Sequence, residues 1–450
     1  MKRRPFIHIY ILLIIFSLIN IQASAAIDES TTSFRSEILK ILSSELQSLK
    51  ELYIDLHKTP ELSSREINTS RKMEKELKNA GFEVTYGVGK YGVVGIIKNG
   101  PGKTIMVRAD MDALPIIEKT GLPFKSEVRT KDSSGNDVGV MHACGHDIHM
   151  TVFTGTARVL AKLKDKWSGT LMMVAQPAEE TGVGAKAMLA DGLFTRFPRP
   201  DYVLALHDGP IPAGSVSSKP GYILANVDSV NIEVKGIGGH GAAPETTKDP
   251  IVLASQIVMA LQTIVSREVP PNKKAVVTVG AIQGGTKHNI IPDRVMLKLT
   301  VRSYEQDIRK NILNAIKRIA RGLGIAAGLK EKDLPVVTVM NESISATYND
   351  PELTKKVMNS FRKVLGEKNV IPAEAVTAGE DFSEYGRAEP KIPTFIYWLG
   401  AVNLEKFIEA QKSGEKIPGL HSPFWAPDYE PTIKTGILTM SSAVIDLLKK

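Results

Sequence analysis

Cysteine is almost absent from the 450-residue chain: Cys144 is the only one, so no disulfide can form within it. The lysines and arginines are spread out, with no basic run and no interleaved aromatic residues, which excludes the usual pattern of a nucleic-acid-binding surface. Low-complexity tracts and short-period repeats are also lacking. Hydrophobic residues at 43% and charged residues at 24% describe an ordinary globular protein, so the function has to be sought in local motifs.

The N-terminus differs from the rest of the chain. "MKRRP" is a basic head, "FIHIYILLIIFSLINI" is an apolar stretch, and Ala23 and Ala25 form an A-x-A cleavage pattern. This arrangement predicts a signal peptide at 1–25, cleaved after about Ala25, and a secreted or periplasmic protein. Because the apolar stretch is short for a membrane span of roughly 20 residues, we expect no stable membrane anchor after cleavage. An uncleaved anchor is the alternative interpretation.

The remaining chain is too long for one compact core, which favours two or more domains. Residues 27–222 begin with helical patterns and then alternate between strand-like and helix-like segments, which is typical of an α/β fold with a mostly parallel sheet. Residues 223–333 instead follow the order strand, helix, strand, strand, helix, which predicts a split βαβ, ferredoxin-like α+β unit. Residues 334–450 return to the first pattern. The sequence therefore predicts a catalytic domain, 27–222 and 334–450, interrupted by a lid or dimerisation domain.

Acidic residues and a histidine follow the buried-type strands of the first segment. Asp110 and Asp112 end "TIMVRADMD", Glu179 and Glu180 end "LMMVAQPAEE", and His207 ends "YVLALH". In open α/β sheets, ligands bind beyond the carboxyl ends of the strands. We therefore expect these side chains to share one edge of the sheet.

The stretch "MHACGHDIHM" places Cys144 and His146 one residue apart, just before a predicted helix. A helix N-terminus lowers the pKa of a thiol and favours the thiolate, the form that binds metal. Thiolate, imidazole and carboxylate are the ligands that Zn²⁺ and similar divalent ions prefer. The adjacent residues Glu179 and Glu180 can have different roles: one carboxylate can bind metal while the other acts as a general base.

Eight motifs in chain order carry a family resemblance: "RADMDALPI", "MHACGHDIHM", "PAEET", "LH", "GIGGHGAAPE", "HNIIPD", "GEDF" and "HSPF". Together they resemble the metal-dependent amidohydrolases that include hippurate hydrolase, auxin-amino-acid conjugate hydrolases and N-acyl-amino-acid deacylases. More distantly, the sequence is similar to aminoacylases and glutamate carboxypeptidases. The resemblance covers nearly the whole chain after the predicted signal peptide.

The resemblance implies a centre of two divalent metal ions, commonly Zn, Mn or Co. It implies Glu179 as general base and Asp112 as the residue that orients a metal ligand or the base. Asp110 lies where more distant relatives have a histidine ligand, which leaves its role open. The metal ligands implied by the family motifs are Cys144, His146, Glu180, His207 and His421.

The same resemblance assigns substrate contacts to the inserted segment and the "GEDF" loop. His240 is implied to polarise the scissile carbonyl, often from the partner subunit, which predicts a homodimer formed through the inserted domain. Asn289 and Arg302 are implied to hold the carboxylate of the substrate, close to Gly379. Two departures concern the rim of the site: Glu245 stands where many relatives have histidine, and the stretch 128–140 looks longer than usual.

The predicted function is hydrolysis of amide bonds in N-acyl-L-amino acids, with Glu179 activating a metal-bound water. One alternative is a dipeptidase or carboxypeptidase with the same centre. Others are a metal-containing binding protein without catalysis and an amidase that uses Cys144 as its nucleophile. Four histidines after the predicted signal peptide have no role implied by the resemblance: His57 and His149 are predicted to be structural, and His142 and His288 to be structural or to support the ligands.

Overall fold

The computed structural model describes residues 29–341 and 343–449, so the predicted signal peptide lies outside the described residues. The helices are α1 Glu29–Lys58, α2 Ile67–Asn79, α3 His146–Lys162, α4 Gly184–Ala190, α5 Pro250–Thr263, α6 Gln306–Ala326, α7 Pro351–Leu365, α8 Ser383–Arg387, α9 Leu404–Ser413 and α10 Tyr429–Leu447. The strands are β1 Glu83–Val88, β2 Gly92–Asn99, β3 Thr104–Asp110, β4 Arg129–Lys131, β5 Asp137–Gly139, β6 Gly169–Gln176, β7 Tyr202–Pro212, β8 Val216–Ser218, β9 Gly221–Leu224, β10 Asn226–Lys235, β11 Gly239–His240, β12 Val276–Gln283, β13 Ile290–Ile291, β14 Arg294–Ser303, β15 Val336–Val339, β16 Thr347–Asn349, β17 Val370–Pro372 and β18 Thr394–Val402.

An eight-stranded sheet in the order β1-β2-β6-β3-β7-β18-β8-β17 forms the larger part of the protein. Strands β6, β3, β7 and β18 at its centre are mutually parallel, while β1 and β2 join antiparallel at one edge. The central strands read as near-continuous apolar runs because helices cover both faces of the sheet. The predicted α/β fold with a mostly parallel sheet is therefore confirmed.

Helices α1, α2, α3, α7 and α10 bury one face of this sheet, and α4 and α8 pack on the other. Helix α3 lies between the sheet, α1 and α10, so nearly all of its side chains are buried rather than one stripe. This position fixes the start of α3, at His146, directly beyond the carboxyl ends of the parallel strands.

A second, four-stranded antiparallel sheet in the order β12-β14-β10-β15 forms a separate inserted unit with α5 and α6. Along β10 buried and half-buried residues alternate, as expected for a sheet covered on one face. The strand order, with β-α-β-β-α-β along the chain, matches the predicted ferredoxin-like pattern. Strand β15 begins at Val336, so this unit extends beyond the boundary predicted at 333.

Within the described residues, the segment Pro250–Glu268 is long and apolar enough to cross a membrane by length and composition alone. Here it packs Leu253, Ile257 and Leu261 against the inserted sheet. Its outer face leaves Val252 and Met259 exposed, so the high hydropathy reflects apolar residues on both sides of the helix.

The chain passes between the two units at neighbouring points. Strand β9 leads into β10, β16 follows β15, and β9 and β16 pair antiparallel with Tyr348 opposite Tyr222. We call this pair of strands the hinge sheet. Because both connections run through it, its few backbone hydrogen bonds lie where the inserted unit joins the larger one.

Two helical glycines test how closely the helices pack around the site. A Cβ on Gly155 of α3 would lie 2.2 Å from Cδ1 and 2.7 Å from Cγ1 of Ile437, a buried residue of α10. A Cβ on Gly322 of α6, in contrast, would have no neighbouring atom within 4 Å. We expect Gly155→Ala to lower the free energy of unfolding by about 1–3 kcal/mol through overpacking. Gly322→Ala should raise it by about 0.5–1 kcal/mol because alanine favours helix.

Urea denaturation followed by far-UV circular dichroism measures both changes. Equal stabilisation of the two variants would show that α3 and α10 can separate at little cost, contrary to the close approach described.

Candidate metal centre

The acidic residues predicted to share one edge of the sheet do so. Asp110 is the last residue of β3, opposite Gln176 at the end of β6, and Glu179 and Glu180 follow three and four residues later. Asp112 accepts hydrogen bonds on Oδ2 from the Ser63 hydroxyl (2.6 Å) and the Glu180 backbone N–H (3.0 Å). These bonds tie the ends of β3 and β6 together.

His207 was expected at the end of its strand, but β7 continues to Pro212. The reason is its neighbour β18, which keeps pairing with β7 from Trp398 opposite His207 to Val402 opposite Pro212. On the other side, pairing with β3 stops at Ala205. His207 therefore lies past the last β3 pairing, and its ring reaches the same edge of the sheet.

The turn before α3 depends on Gly145, which has φ +72°. A Cβ at this position would lie 2.2–2.3 Å from the carboxylate of Asp208, so only glycine fits without displacing that side chain. The turn places Cys144 and His146 on either side of the glycine, with both side chains buried. This explains the one-residue spacing that the sequence shows.

His421 lies far away in sequence, in the loop before α10. Its backbone has φ +64°, and its N–H donates to the Ala143 carbonyl at 2.7 Å. This bond anchors the loop next to Cys144 and directs the imidazole Nε2 to within 3.2 Å of the Cys144 Sγ and 3.4 Å of the Glu180 Oε1. The left-handed backbone is therefore part of how the loop presents the ring.

The five predicted ligands converge on one point. Besides the His421 contacts, the His207 Nε2 lies 3.5 Å from the Cys144 Sγ, and the His146 Nε2 lies 3.9 Å from the Glu180 Oε1. Three imidazole nitrogens, one thiol and one carboxylate therefore face each other across distances that a bound ion would span.

Neighbouring groups orient the imidazoles. The His207 Nδ1 donates to the Asp208 carbonyl at 2.8 Å, and because a carbonyl only accepts, the Nε2 keeps its lone pair for a metal. The His146 Nδ1 lies 3.3 Å from the Asp112 Oδ1, which turns the Nε2 of that ring toward Glu180. Asp112 thus has the orienting position that the resemblance implied.

The donor set fits divalent metal. Buried atoms without a hydrogen-bond partner in the described chain include both ring nitrogens of His146 and the Glu180 Oε1, an arrangement that is costly unless a cation binds there. Ligand atoms of Cys144, His146 and His207 lie within 4.8 Å of one another, as do those of Cys144, Glu180 and His421. Because Cys144 belongs to both groups, two ions sharing its thiolate would fit.

The predicted lowering of the Cys144 pKa is wrong for the protein without metal. Burial raises the pKa of this thiol well above its usual range, and the carboxylates of Glu180 and Glu179 raise it further. The lowering effect of the helix N-terminus on this pKa is smaller than the raising effects of burial and the carboxylates. The thiol thus stays protonated unless a cation offsets the surrounding negative charge, which disfavours Cys144 as a free nucleophile.

Glu179 is 5% exposed, and its carboxylate lies within 4.8 Å of ligand atoms of both His146 and Glu180. Burial raises the pKa of this carboxyl well above its usual range, followed by repulsion from Glu380 and Glu180. The Glu179 carboxyl group therefore lies against the candidate ligands, and no lysine or arginine of the described residues forms an ion pair with it. That is the position a general base requires.

Sequence reasoning missed Arg108, which is fully buried beneath the centre. Its guanidinium donates to Asp110 (2.6 Å), Glu380 (2.9 Å), Asp381 (3.0 Å) and Gln176 (2.9 Å). Burial favours the neutral form of Asp110, but the nearby cations, His146 first, hold its pKa well below its usual range. A signal was present in "RADMD": an arginine within an otherwise apolar strand needs buried acidic partners.

Two of the remaining histidines, His149 and His57, belong to separate buried networks. His149 bridges Asp110 (2.6 Å) and Asp208 (3.3 Å), so it supports the residues behind the ligands. His57 pairs with Asp147 (2.7 Å) and Glu118 (3.1 Å); although burial opposes its charge, these acids raise the pKa of its imidazole to about 9. Neither ring belongs to the five-ligand cluster.

His142 and His288 differ in their exposure to solvent. His142 is buried with no hydrogen-bond partner on either ring nitrogen in the described chain, and burial lowers its pKa to about 4. His288 is exposed in the loop before β13.

The predicted substrate residues form two groups away from the ligand cluster. His240, in β11, and Asn289, in the turn just before β13, are exposed neighbours in the inserted unit, where the Gly241 N–H donates to the Asn289 carbonyl. Arg302 is half-buried and lies 3.5 Å from the Thr377 carbonyl, so it reaches the loop that carries Gly379. No contact in the described residues joins either group to the five ligands.

Comparisons with known proteins agree with this chemistry. A model of peptidase family M20/M25/M40 matches residues 106–418. Hippurate hydrolase from Campylobacter jejuni is 41% identical over 332 residues, covering 73% of this chain and 82% of that protein. Thermostable carboxypeptidase 1 from Saccharolobus solfataricus is 37% identical over 380 residues, covering 82% and 91%. A dinuclear metal-binding peptidase of the M20 family from Bacillus subtilis superposes with a TM-score of 0.71 at 29% identity, covering 90% and 99%.

The ligand assignment predicts which histidine variants lose metal. His207→Ala removes a nitrogen that faces the Cys144 thiol, and we expect metal affinity to fall at least ~10-fold because a lost ligand costs more than a lost supporting residue. His288→Ala, on the exposed loop, should bind as the unchanged protein does. Competition with a chromophoric chelator and elemental analysis measure both variants. Undiminished metal content in His207→Ala would contradict the assignment.

Proposed function

The chain belongs to peptidase family M20/M25/M40 and is a metal-dependent amidohydrolase or peptidase; we propose that it hydrolyses the amide bond of N-acyl-L-amino acids. The observation that carries the proposal is the convergence of Cys144, His146, Glu180, His207 and His421, with Glu179 buried against them. Two ions, Zn, Mn or Co, would be held by these five ligands. The similarity to a hippurate hydrolase supports an N-acyl-amino acid as the substrate.

Bound divalent ions would lower the pKa of a water molecule and polarise the amide carbonyl. Glu179 accepts the proton of the attacking water and delivers it to the amine nitrogen as the C–N bond breaks. Asp112 holds His146 in place during these steps through the 3.3 Å contact with its Nδ1. Arg108 keeps Asp110 and the "GEDF" loop fixed beneath the centre.

The carboxylate of the substrate would bind Arg302, beside the loop of Gly379, with Asn289 and His240 approaching from the inserted unit. In the described chain the side chain of His240 accepts a hydrogen bond only from the Ala242 N–H. We propose that His240 reaches the scissile carbonyl from a second copy of the chain.

A carboxypeptidase or dipeptidase is the second candidate. The similarity to a thermostable carboxypeptidase favours it, and the same metal centre and the same Arg302 would serve a peptide with a free C-terminus. The two candidates differ in the acyl side of the substrate. A panel containing N-benzoylglycine, N-acetyl-amino acids, dipeptides and benzyloxycarbonyl-dipeptides separates them by the relative kcat/KM values.

Glu179→Gln tests the mechanism directly. We expect the rate of amino-acid release to fall by about 10²–10⁴-fold, because a neutral amide cannot accept the water proton, while metal content stays unchanged. Glu374→Gln, at a side chain that is 90% exposed, is the matched control and should retain full activity. Chelation should abolish release by the unchanged protein, and added Mn²⁺ or Zn²⁺ should restore it. Full activity in Glu179→Gln would overturn the assigned role.

We also propose that the protein is secreted or periplasmic and forms a homodimer through the inserted unit. The basic head, apolar stretch and A-x-A pattern of residues 1–25 support export. The exposed apolar residues Val252 and Met259 of α5, next to the edge strand β12, support pairing with a second copy.

Native mass spectrometry of protein expressed from the full-length chain and recovered outside the cytoplasm tests both points. The expected species begins near Ala26 and has twice the mass of the cleaved chain. An intact N-terminus in the membrane fraction would favour an uncleaved anchor, and a monomer at micromolar concentration would contradict the dimer.

A further inference from the structure

A cavity of about 380 Å³ opens beside the hinge sheet. Tyr222 of β9 and Tyr348 of β16 line it from the hinge, and Ser383, Arg387 and Lys391 line it from α8 and the segment that follows. None of these residues belongs to the metal cluster or to the predicted substrate contacts. The proposed hydrolysis therefore leaves this cavity without a role.

Aromatic rings form one wall of the cavity. The rings of Tyr222 and Tyr348 meet edge to face, with centroids 5.1 Å apart and planes at 81°. Tyr348 remains 46% exposed although it lies in a paired strand, so its ring is available to a further planar group. Edge-to-face or offset contact with a third ring would extend this pair.

The opposite wall carries two cations. Arg387 and Lys391 are exposed and form no ion pair within the described part of the chain. The only acidic residue lining the cavity is Asp350, whose Oδ1 already accepts from the Leu353 N–H at the start of α7. Two cations against one carboxylate give the lining side chains a net charge of +1, which favours an anion next to Arg387 and Lys391. Outside the lining, the carboxylates of Glu305 and Asp307 act on Tyr222.

Ser383 supplies a third, independent observation. The residue is 4% exposed, it lines the cavity, and its Oγ has no hydrogen-bond partner in the described residues. A buried hydroxyl without a partner is uncommon, and this one belongs to a residue that lines the same cavity as the tyrosines and the cations. A ligand oxygen in the cavity would satisfy it.

From these three features we propose that the hinge cavity binds a small organic anion carrying a planar ring, of the aromatic carboxylate class. The ring lies against Tyr348, the carboxylate pairs with Arg387 and Lys391, and one carboxylate oxygen accepts from the Ser383 hydroxyl. A carboxylate matches the guanidinium through two parallel hydrogen bonds, and the cavity volume suits a molecule of about ten non-hydrogen atoms.

Isothermal titration calorimetry of the metal-loaded, full-length mature protein with benzoate tests the proposal. We expect one site with a Kd on the order of 0.1–1 mM, typical of a ligand of this size. Arg387→Gln should weaken binding at least ~10-fold and Tyr348→Ala about 5-fold, while cyclohexanecarboxylate and inorganic phosphate should bind more weakly than benzoate. Thermal denaturation of each variant shows that it is folded.

Arg302→Gln separates this cavity from the metal centre. Benzoate binding that survives Arg302→Gln but falls in Arg387→Gln supports the hinge cavity, whether or not the protein hydrolyses N-acyl-amino acids. Binding that is lost in Arg302→Gln and kept in Arg387→Gln would place benzoate at the metal centre and overturn the proposal. The absence of any heat of binding at 10 mM benzoate would also overturn the proposal. Equal affinity for phosphate and benzoate would overturn the proposed contact between the ligand ring and Tyr348.

Discussion

The buried guanidinium of Arg108 is the interaction on which the metal centre depends. It joins Asp110 at the end of β3 to Glu380 and Asp381, residues that follow the inserted unit in sequence. Three carboxylates in a dry interior repel one another, and removing a buried partner of this kind typically costs about 3–5 kcal/mol. The Arg108 side chain thus joins the chain segments before and after the inserted unit, and it fixes the acidic residues beneath the ligands.

Above these residues, carboxyl groups lie against the ligand cluster. Burial holds the pKa of the Cys144 thiol well above its usual range, and the carboxylates of Glu180 and Glu179 raise this pKa further. A bound divalent ion would lower the pKa of this thiol, since it stabilises the thiolate, the form that burial and the carboxylates disfavour. Metal binding must therefore displace the thiol proton, and the pKa of Cys144 is set by the ion rather than by the start of α3.

The sequence predicts the parts of the fold that local patterns determine. The alternation of strands and helices gave the parallel sheet, and ordered motifs identified five ligands that the structure brings together. Arg108 was missed because its partners Glu380 and Asp381 lie more than 270 residues away, and no local pattern pairs them. Strand β15 was missed because only four residues form it, none of them fully buried.

The position of the inserted unit explains why the predicted substrate residues do not meet the ligands in one chain. His240 lies exposed on β11 and Asn289 lies exposed in the turn before β13, and the unit joins the rest of the protein through the hinge sheet. The cluster on the parallel sheet brings all five candidate ligands together within one chain, whereas the carbonyl contact proposed for His240 would come from a second copy. Strands β9 and β16 pair where the inserted unit joins the larger one, so a ligand seated against Tyr348, as proposed, would contact that connection.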